Sequence, residues 1–130
     1  MSRETLNISE MSTLFGVSHR TLRFYEDKGL LSPVRLGMSR HYTKRDCARL
    51  KLIVRGKSYG FSLDEIRHFL DLYETDGGEF AQRKYLRELA ETRIVELREE
   101  QAKLTETVGK LDDLVSELSG ERAPAPQTAA

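Results

Sequence analysis

The fold of this chain is decided by residues 8–31, which read ISEMSTLFGVSHRTLRFYEDKGLL. Two short helices around a tight turn are predicted here, with Gly16 and Val17 forming the turn. We expect Ser9 to cap the first helix and Ser18 the second, because serine side chains accept hydrogen bonds from the free N–H groups of a first turn. This pattern is typical of a helix-turn-helix.

Each predicted helix has an inner and an outer face. Met11 and Leu14 lie three residues apart on the first helix, which predicts that both point inward. Leu22 and Tyr25 point inward on the second helix. Its outer side carries His19, Arg20 and Arg23. A basic helix N-terminus suits phosphates and base edges because its free N–H groups and dipole add to the arginine charge.

A hairpin is predicted after the second helix. Gly29 suits the position that follows a helix end, and residues 36–39, Leu-Gly-Met-Ser, suit a turn between two short strands. Such a hairpin would form a wing, with Arg35 and Arg40 flanking the turn where they could straddle a phosphate backbone. Tyr42 either supplies a hydroxyl to DNA or packs its ring against the core, and the sequence leaves both alternatives open.

Two further helices are predicted from their caps. Thr43 suits the start of a third helix that ends near Tyr59 and Gly60, and Ser62 suits the start of a fourth that runs to about Glu74.

The single cysteine lies on an apolar stripe of the third predicted helix. Cys47, Leu50 and Val54 fall at positions i, i+3 and i+7. We interpret Cys47 as a small buried hydrophobic residue rather than as a redox sensor or a metal ligand. One cysteine permits no intramolecular disulfide, which is compatible with a reducing compartment.

Length and composition exclude several classes of protein. The 130 residues suffice for one small domain and an appendage, with too modest a core for an elaborate active site. We predict that the chain is not an enzyme, because its three histidines have no nucleophile at a recognisable spacing and no Gly-rich phosphate loop is present. No run approaches the roughly 20 apolar residues of a membrane span, so we expect a cytoplasmic protein without a membrane partner.

The net charge of zero conceals an uneven distribution. Residues 1–74 carry 13 basic and 9 acidic side chains, whereas residues 75–130 carry 8 and 12. Residues 18–57 alone carry 11 basic and 3 acidic side chains. A solvated surface is the alternative, but this basic segment coincides with the helix-turn-helix and therefore favours a nucleic-acid partner.

Three separated motifs resemble the MerR family of bacterial transcription regulators. They are residues 23–26 (Arg-Phe-Tyr-Glu) with Gly-Leu-Leu at 29–31, residues 55–57 (Arg-Gly-Lys), and residues 60–66 (Gly-Phe-Ser-Leu-Asp-Glu-Ile). The motifs cover about residues 6–72 in the family's order. Many members carry two tyrosines where this chain has Phe24 and Tyr25, so any contact that needs a hydroxyl at position 24 is absent here.

The resemblance implies a mainly α-helical fold with a winged helix-turn-helix that uses its wing on double-stranded DNA. It also implies a backbone contact by Lys57, for which a solvated lysine is the alternative. The predicted DNA contacts are Ser18, His19, Arg20, Arg23, Tyr25, Arg35, Arg40, Tyr42 and Lys57.

Residues 79–119 contain no proline and only one glycine, which permits a helix of 41 residues, about 60 Å long. Its apolar residues recur at a and d positions through four heptads, so a partner helix is expected. Gln101 either fixes the register or is a tolerated polar residue. The predicted seam consists of Ala90, Ile94, Leu97, Gln101, Leu104, Val108, Leu111, Val115 and Leu118. We expect Leu86 and Leu89, outside the seam, to dock the helix start onto a DNA-binding domain.

The predicted organisation is an N-terminal tail (1–5), a winged DNA-binding domain (6–74), a linker (75–78), a coiled-coil dimerisation helix (79–119) and a disordered tail (120–130). The resemblance implies that the long helix pairs antiparallel with the same helix of a second copy. The homodimer then binds a palindrome in a promoter and distorts the DNA so that RNA polymerase can engage it. A simple repressor and an architectural or coiled-coil interaction protein are the alternatives.

Metal-sensing members of the family place cysteines or histidines around the end of the dimer helix, whereas this chain has neither after His68. We therefore expect no metal, no cofactor and no separate effector domain. A small-molecule effector between the dimer helix and the winged domain stays an alternative.

Overall fold

The computed structural model describes residues 4–120, and most of the predicted tail 120–130 lies outside these residues. The contacts divide the chain into two units, one ending at Ala90 and one beginning at Glu91. In the described part of the chain, no helix is long and apolar enough to cross a membrane. The elements in chain order are β1 (Thr5–Leu6), α1 (Ile8–Phe15), α2 (His19–Asp27), β2 (Val34–Leu36), β3 (Ser39–Thr43), α3 (Lys44–Ser58), α4 (Leu63–Leu72) and α5 (Gly78–Gly120).

Helix α1 begins at Ile8, earlier than a cap at Ser9 would allow. Asn7 is the cap, since its Oδ1 accepts from the Glu10 N–H at 2.8 Å while Glu10 Oε1 accepts from the Asn7 N–H at 3.0 Å. The prediction of Ser9 was wrong because Asn7 offers a reciprocal capping box, in which a carboxylate or amide three residues after the cap bonds back to it. Glu10 meets this condition for Asn7, whereas Ser12 does not meet it for Ser9.

The inner face of α1 differs from the predicted one. Met11 is fully buried as expected, but Leu14 is 64% exposed. Ile8 and Phe15 instead pack against the core around Met11. At 100° per residue these two side chains lie on one side of Met11 and Leu14 lies on the other, so a narrow buried face includes the first pair and excludes Leu14.

Helix α2 follows its prediction closely. Ser18 is the cap, with its Oγ accepting from the Thr21 N–H at 3.0 Å. Leu22 and Tyr25 are both buried. Gly29 follows the helix end with φ 74°, as expected for the residue after a helix C-terminus.

The predicted hairpin is confirmed and forms part of a three-stranded sheet in the order β1-β3-β2. Its turn contains Gly37, whose φ of 64° suits the two-residue turns that match strand twist. Arg35 and Arg40 lie directly opposite each other across β2 and β3. Strand β1 was not predicted, and it corrects the tail boundary because Thr5 pairs with Thr43.

Helices α3 and α4 begin at the predicted caps, Thr43 and Ser62, each completed by a carboxylate three residues later. The two helices pack closely at Gly56, where an added Cβ would lie 3.0 Å from Ile66 Cγ1. One core joins the elements of the first unit and consists of Met11, Leu22, Tyr25, Leu30, Leu31, Tyr42, Leu50, Ile53, Phe61, Ile66 and Leu70.

Helix α5 runs from Gly78 to Gly120, one residue longer at each end than predicted. Its start requires glycine, since a Cβ at Gly78 would lie 2.3 Å from the Leu72 carbonyl oxygen. Leu89 packs against the core, as predicted. Leu86 is 38% exposed in the single chain, so its docking onto a DNA-binding domain stays a prediction.

Polar and aromatic contacts hold the start of α5 against α4. The Gln82 side chain donates to the Phe69 carbonyl at 2.9 Å. The Tyr85 and His68 rings pack edge to face with their centroids 4.6 Å apart. His68 therefore lies on the exposed side of α4 with an aromatic partner on α5.

Candidate nucleic-acid interface

The outer side of α2 presents the predicted basic side chains. Arg20 and Arg23 are exposed, and neither forms an ion pair within residues 4–120. His19 is half-buried. Ser18 is exposed, but its hydroxyl is used locally, accepting from the Thr21 N–H and donating to Thr21 Oγ1 at 2.9 Å. The two arginines are therefore the strongest candidates for DNA contact on this helix.

The two tyrosines among the predicted contacts are buried. Tyr42 is fully buried, so its ring packs against the core. The alternative prediction, a direct DNA contact by its hydroxyl, was wrong. The side chain lies there because β3 is the central strand of the sheet and Tyr42 faces the core. Burial raises the pKa of Tyr42, and also that of Tyr25. Tyr25 is only 7% exposed, so its predicted contact finds no support in this structure.

The wing arginines share one carboxylate that the sequence did not single out. Arg40 Nε donates to Glu26 Oε2 at 2.8 Å, and Arg35 Nε donates to Glu26 Oε1 at 3.2 Å. Arg35 Nη2 also donates to Glu26 Oε1. Glu26 lies on α2, so these bonds tie the wing to the helix that carries Arg20 and Arg23. We name Glu26, Arg35 and Arg40 the wing clamp.

The charge state of the wing clamp follows from two opposing effects. Burial acts to raise the pKa of Glu26, but hydrogen bonds and charge from Arg35 and Arg40 together outweigh it and lower the pKa below its ordinary value. The carboxylate is therefore ionised at neutral pH. Its attraction for the arginines weakens only in acid, as the pH falls through the lowered pKa.

A buried carboxylate supports the loop before the wing. Asp46 is 2% exposed, and it accepts from the backbone N–H groups of Ser32 at 2.9 Å and Thr43 at 3.0 Å. A Thr-x-x-Asp capping box is a local signal that could have revealed its role at the helix start. The bond to Ser32 has no local signal. Lys57 is exposed near the end of α3, as predicted, and its DNA contact stays a prediction.

Cys47 lies half-buried against the core, with Sγ 3.5 Å from Met11 Sδ. Burial raises the pKa of the Cys47 thiol, and the nearby charge of Asp46 raises it further. Little thiolate is therefore present at neutral pH. Within residues 4–120, no group of three or more histidine, cysteine or acidic side chains is placed to hold a metal ion.

Replacing the thiol is expected to leave DNA binding and its response to zinc, copper or peroxide unchanged. Cys47→Ala removes little volume, and a thiol with a raised pKa reacts slowly and binds metal poorly. Binding titrations with and without each agent would check this. Stoichiometric metal in the purified protein, or an affinity that shifts on oxidation in the unmodified chain but not in Cys47→Ala, would reopen the sensor interpretation.

The predicted dimer seam lies along α5 as an apolar stripe that no other part of residues 4–120 covers. Ala90 is half-buried, Gln101 is exposed, and the large apolar members are between 43% and 66% exposed. These apolar members are Ile94, Leu97, Leu104, Val108, Leu111, Val115 and Leu118.

Two family descriptions match overlapping parts of this chain. The family described as "MerR HTH family regulatory protein" matches residues 6–72, and "MerR, DNA binding" matches residues 47–114. The chain belongs to the MerR family. This MerR-family protein is thus a DNA-binding transcription regulator, as the three motifs predicted.

Individual relatives are similar to this MerR-family chain over most of its length. The HTH-type transcriptional regulator HmrR of Rhizobium leguminosarum bv. viciae is 35% identical, over 92% of this chain and 91% of the relative. The regulator PbrR691 from Ralstonia metallidurans CH34, solved in complex with lead(II), is 30% identical with a TM-score of 0.66, over 98% and 94% of the two chains. HiNmlR, a MerR family regulator lacking the sensor domain and solved bound to promoter DNA, is 27% identical with a TM-score of 0.55, over 88% of each chain.

Proposed function

We propose that two copies of this regulator pair through α5, bind a palindromic promoter operator and distort the DNA to control transcription. The carrying observation is the apolar seam of α5, whose large side chains are 43% to 66% exposed in a single chain. A partner helix would remove this stripe from water, and spacing by heptads is what paired helices require. Pairing then joins two DNA-binding domains in one molecule.

An antiparallel arrangement of the two α5 helices is supported by their charge. Residues 79–98 carry 5 basic and 4 acidic side chains, whereas residues 99–120 carry 2 and 6. A parallel pair would place the two acidic halves side by side. An antiparallel pair places each acidic half beside the more basic half of its partner, which lowers the repulsion. It also places the two DNA-binding domains at opposite ends of the paired helices.

Each DNA-binding domain would read one half of the palindrome. In a helix-turn-helix, the second helix enters the major groove with residues near its N-terminus at the base edges, and that helix here carries Arg20 and Arg23. The wing would contact the adjacent phosphates through Arg35 and Arg40, and Lys57 would add a further backbone contact. Two-fold symmetry of the dimer is matched by two-fold symmetry of the operator.

Distortion of the promoter and engagement of RNA polymerase are proposed from the family's mode of action. The solved neighbour bound to promoter DNA supports the promoter as the target. Bending a site of this kind costs several kcal/mol, so binding should depend on the flexibility of central base steps that the protein does not touch.

We propose that this regulator acts without a thiolate metal site on α5. The neighbour in complex with lead(II) raises a metal effector as the alternative. Neither cysteine nor histidine occurs after His68 in this chain, and these are the ligands that soft metals select.

Arg20→Ala and Arg23→Ala are expected to weaken DNA binding in different ways. If Arg20 contacts a guanine edge through two hydrogen bonds, its removal should reduce the preference for that base over the others by about 1–3 kcal/mol. Arg23, expected at a phosphate, should on removal weaken binding to all sequences similarly. Binding titrations would measure both effects. They would use duplexes from the DNA upstream of the gene that encodes this chain (the upstream duplexes) and scrambled duplexes.

The same titrations test the proposed function. A wild-type protein that binds upstream and scrambled duplexes equally would indicate an architectural protein instead of a sequence-specific regulator. Specific binding that only blocks transcription in vitro would indicate a simple repressor. If both arginine variants bind as the wild type does, the assignment of α2 as the DNA-contacting helix is wrong.

A further inference from the structure

The wing hairpin contains an electrostatic conflict. Arg35 and Arg40 are direct cross-strand partners, and like charges in that position destabilise a hairpin. Glu26 resolves the conflict because each of its carboxylate oxygens accepts from a different arginine, Oε1 from Arg35 and Oε2 from Arg40. The hairpin alone offers no such counter-charge, so its geometry depends on a residue of α2.

The location of Glu26 has no explanation within its own helix. It lies next to the last residue of α2, where a carboxylate meets the negative end of the helix dipole. The side chain is only 13% exposed, so its desolvation adds a further cost. The contacts with Arg35 and Arg40 offset both costs, and they explain why a glutamate lies at this position.

The arginines keep donors available while Glu26 holds them. A guanidinium has five N–H donors, of which Glu26 receives two from Arg35 and one from Arg40. The Arg35 side chain is 57% exposed and that of Arg40 is 24% exposed. The carboxylate therefore fixes one edge of each guanidinium and leaves other donors on side chains that solvent, and hence a phosphate, can reach.

We propose that Glu26 is a positioning residue for DNA recognition, which fixes the wing on α2 and presents Arg35 and Arg40 to the phosphates beside the groove that α2 enters. This rests on the proposed use of the wing on DNA. Because a fixed guanidinium loses less freedom on binding, a negative residue here strengthens the binding of a polyanion.

The test compares Glu26→Gln with Asp27→Asn, which removes the same charge from the neighbouring exposed position. Removing a negative charge near DNA ordinarily tightens binding, and we expect this for Asp27→Asn. For Glu26→Gln we expect the opposite, a loss of about 10-fold in affinity for duplexes from the chain's own upstream region. The slope of log affinity against log salt should also fall by about 1 as a phosphate contact is lost.

A double-mutant cycle separates positioning from general stability. In a chain with Arg35→Ala and Arg40→Ala, adding Glu26→Gln should cause no further loss, because Glu26 acts through those arginines. Glu26→Asp, which keeps the charge, should retain more affinity than Glu26→Gln, and thermal melting would show that each variant is folded. Tighter binding by Glu26→Gln, or an equal loss with and without the arginines, would overturn the proposal.

Failure of the underlying function gives a different result. A wild-type protein without preference for upstream DNA would contradict the proposed operator binding. Wild-type preference that survives unchanged in the Arg35→Ala, Arg40→Ala chain would exclude the wing contact and the role of Glu26, while leaving the regulator function intact.

Discussion

A chain carrying Leu104→Glu and Leu111→Glu is expected to be monomeric and to lose most of its affinity for operator DNA. Both side chains belong to the predicted seam, and in the single chain they are 66% and 55% exposed. Glutamate at these positions is hydrated in a monomer, so the fold of one chain should be preserved. In a dimer the same carboxylates would be buried without partners, which is costly.

The loss of affinity follows from the loss of the second DNA-binding domain. Linking two binding modules can raise overall affinity by 10²–10⁴-fold, so a monomer should bind its operator at least about 100-fold more weakly. Light scattering at micromolar concentration would report the oligomeric state, and titration on the upstream duplex would report affinity.

Val95→Glu is the matched control for the seam variant. Val95 is 58% exposed on the same helix and lies outside the seam, so the same kind of substitution there should leave a dimer with unchanged DNA affinity. A wild-type protein that is monomeric at micromolar concentration and still binds its operator tightly would contradict the proposed dimer.

Asp46→Ala is expected to lower the free energy of unfolding by about 3 kcal/mol. The Asp46 carboxylate is 2% exposed and accepts from the Ser32 N–H, the Thr43 N–H and the Thr43 hydroxyl, the last at 3.1 Å. Alanine would leave the donors of these part-buried hydrogen bonds without their partner, and it would remove the capping box of α3. Chemical denaturation at one fixed protein concentration would measure the change, since the stability of a dimer depends on concentration.

Glu65→Ala is the matched control for the buried carboxylate. Glu65 completes the capping box of α4, where Oε1 accepts from the Ser62 N–H at 2.8 Å, but that bond is exposed to solvent. Its removal should therefore cost only about 0.5–1 kcal/mol. Similar losses for the two variants would show that the burial of Asp46 and its bond to Ser32 add little to stability.

Features that depend on neighbours within a few residues could be predicted from the sequence. The caps Ser18, Thr43 and Ser62 each act on an N–H group three residues away. The hairpin turn depends on Gly37 and the two residues beside it. Even the long helix is a local property, since it requires only the absence of breakers and a repeat of seven residues.

Where two local signals competed, the structure shows which of them prevailed. Asn7 and Ser9 are both good caps, and Leu14 and Phe15 are both apolar residues near Met11. The cap that could complete a reciprocal box was used, and Phe15 packs on the core while Leu14 stays exposed.

The sequence by itself determined the helix-turn-helix, the hairpin, the long helix and the family, because each depends on neighbouring residues or on a pattern along one helix. Only the tertiary structure decided that Tyr42 is buried, that Asp46 holds Ser32 across 14 positions, and that Glu26 holds both wing arginines. These contacts join residues that are distant in sequence, and only the packing of the helices and the sheet on a common core brings them within hydrogen-bonding distance.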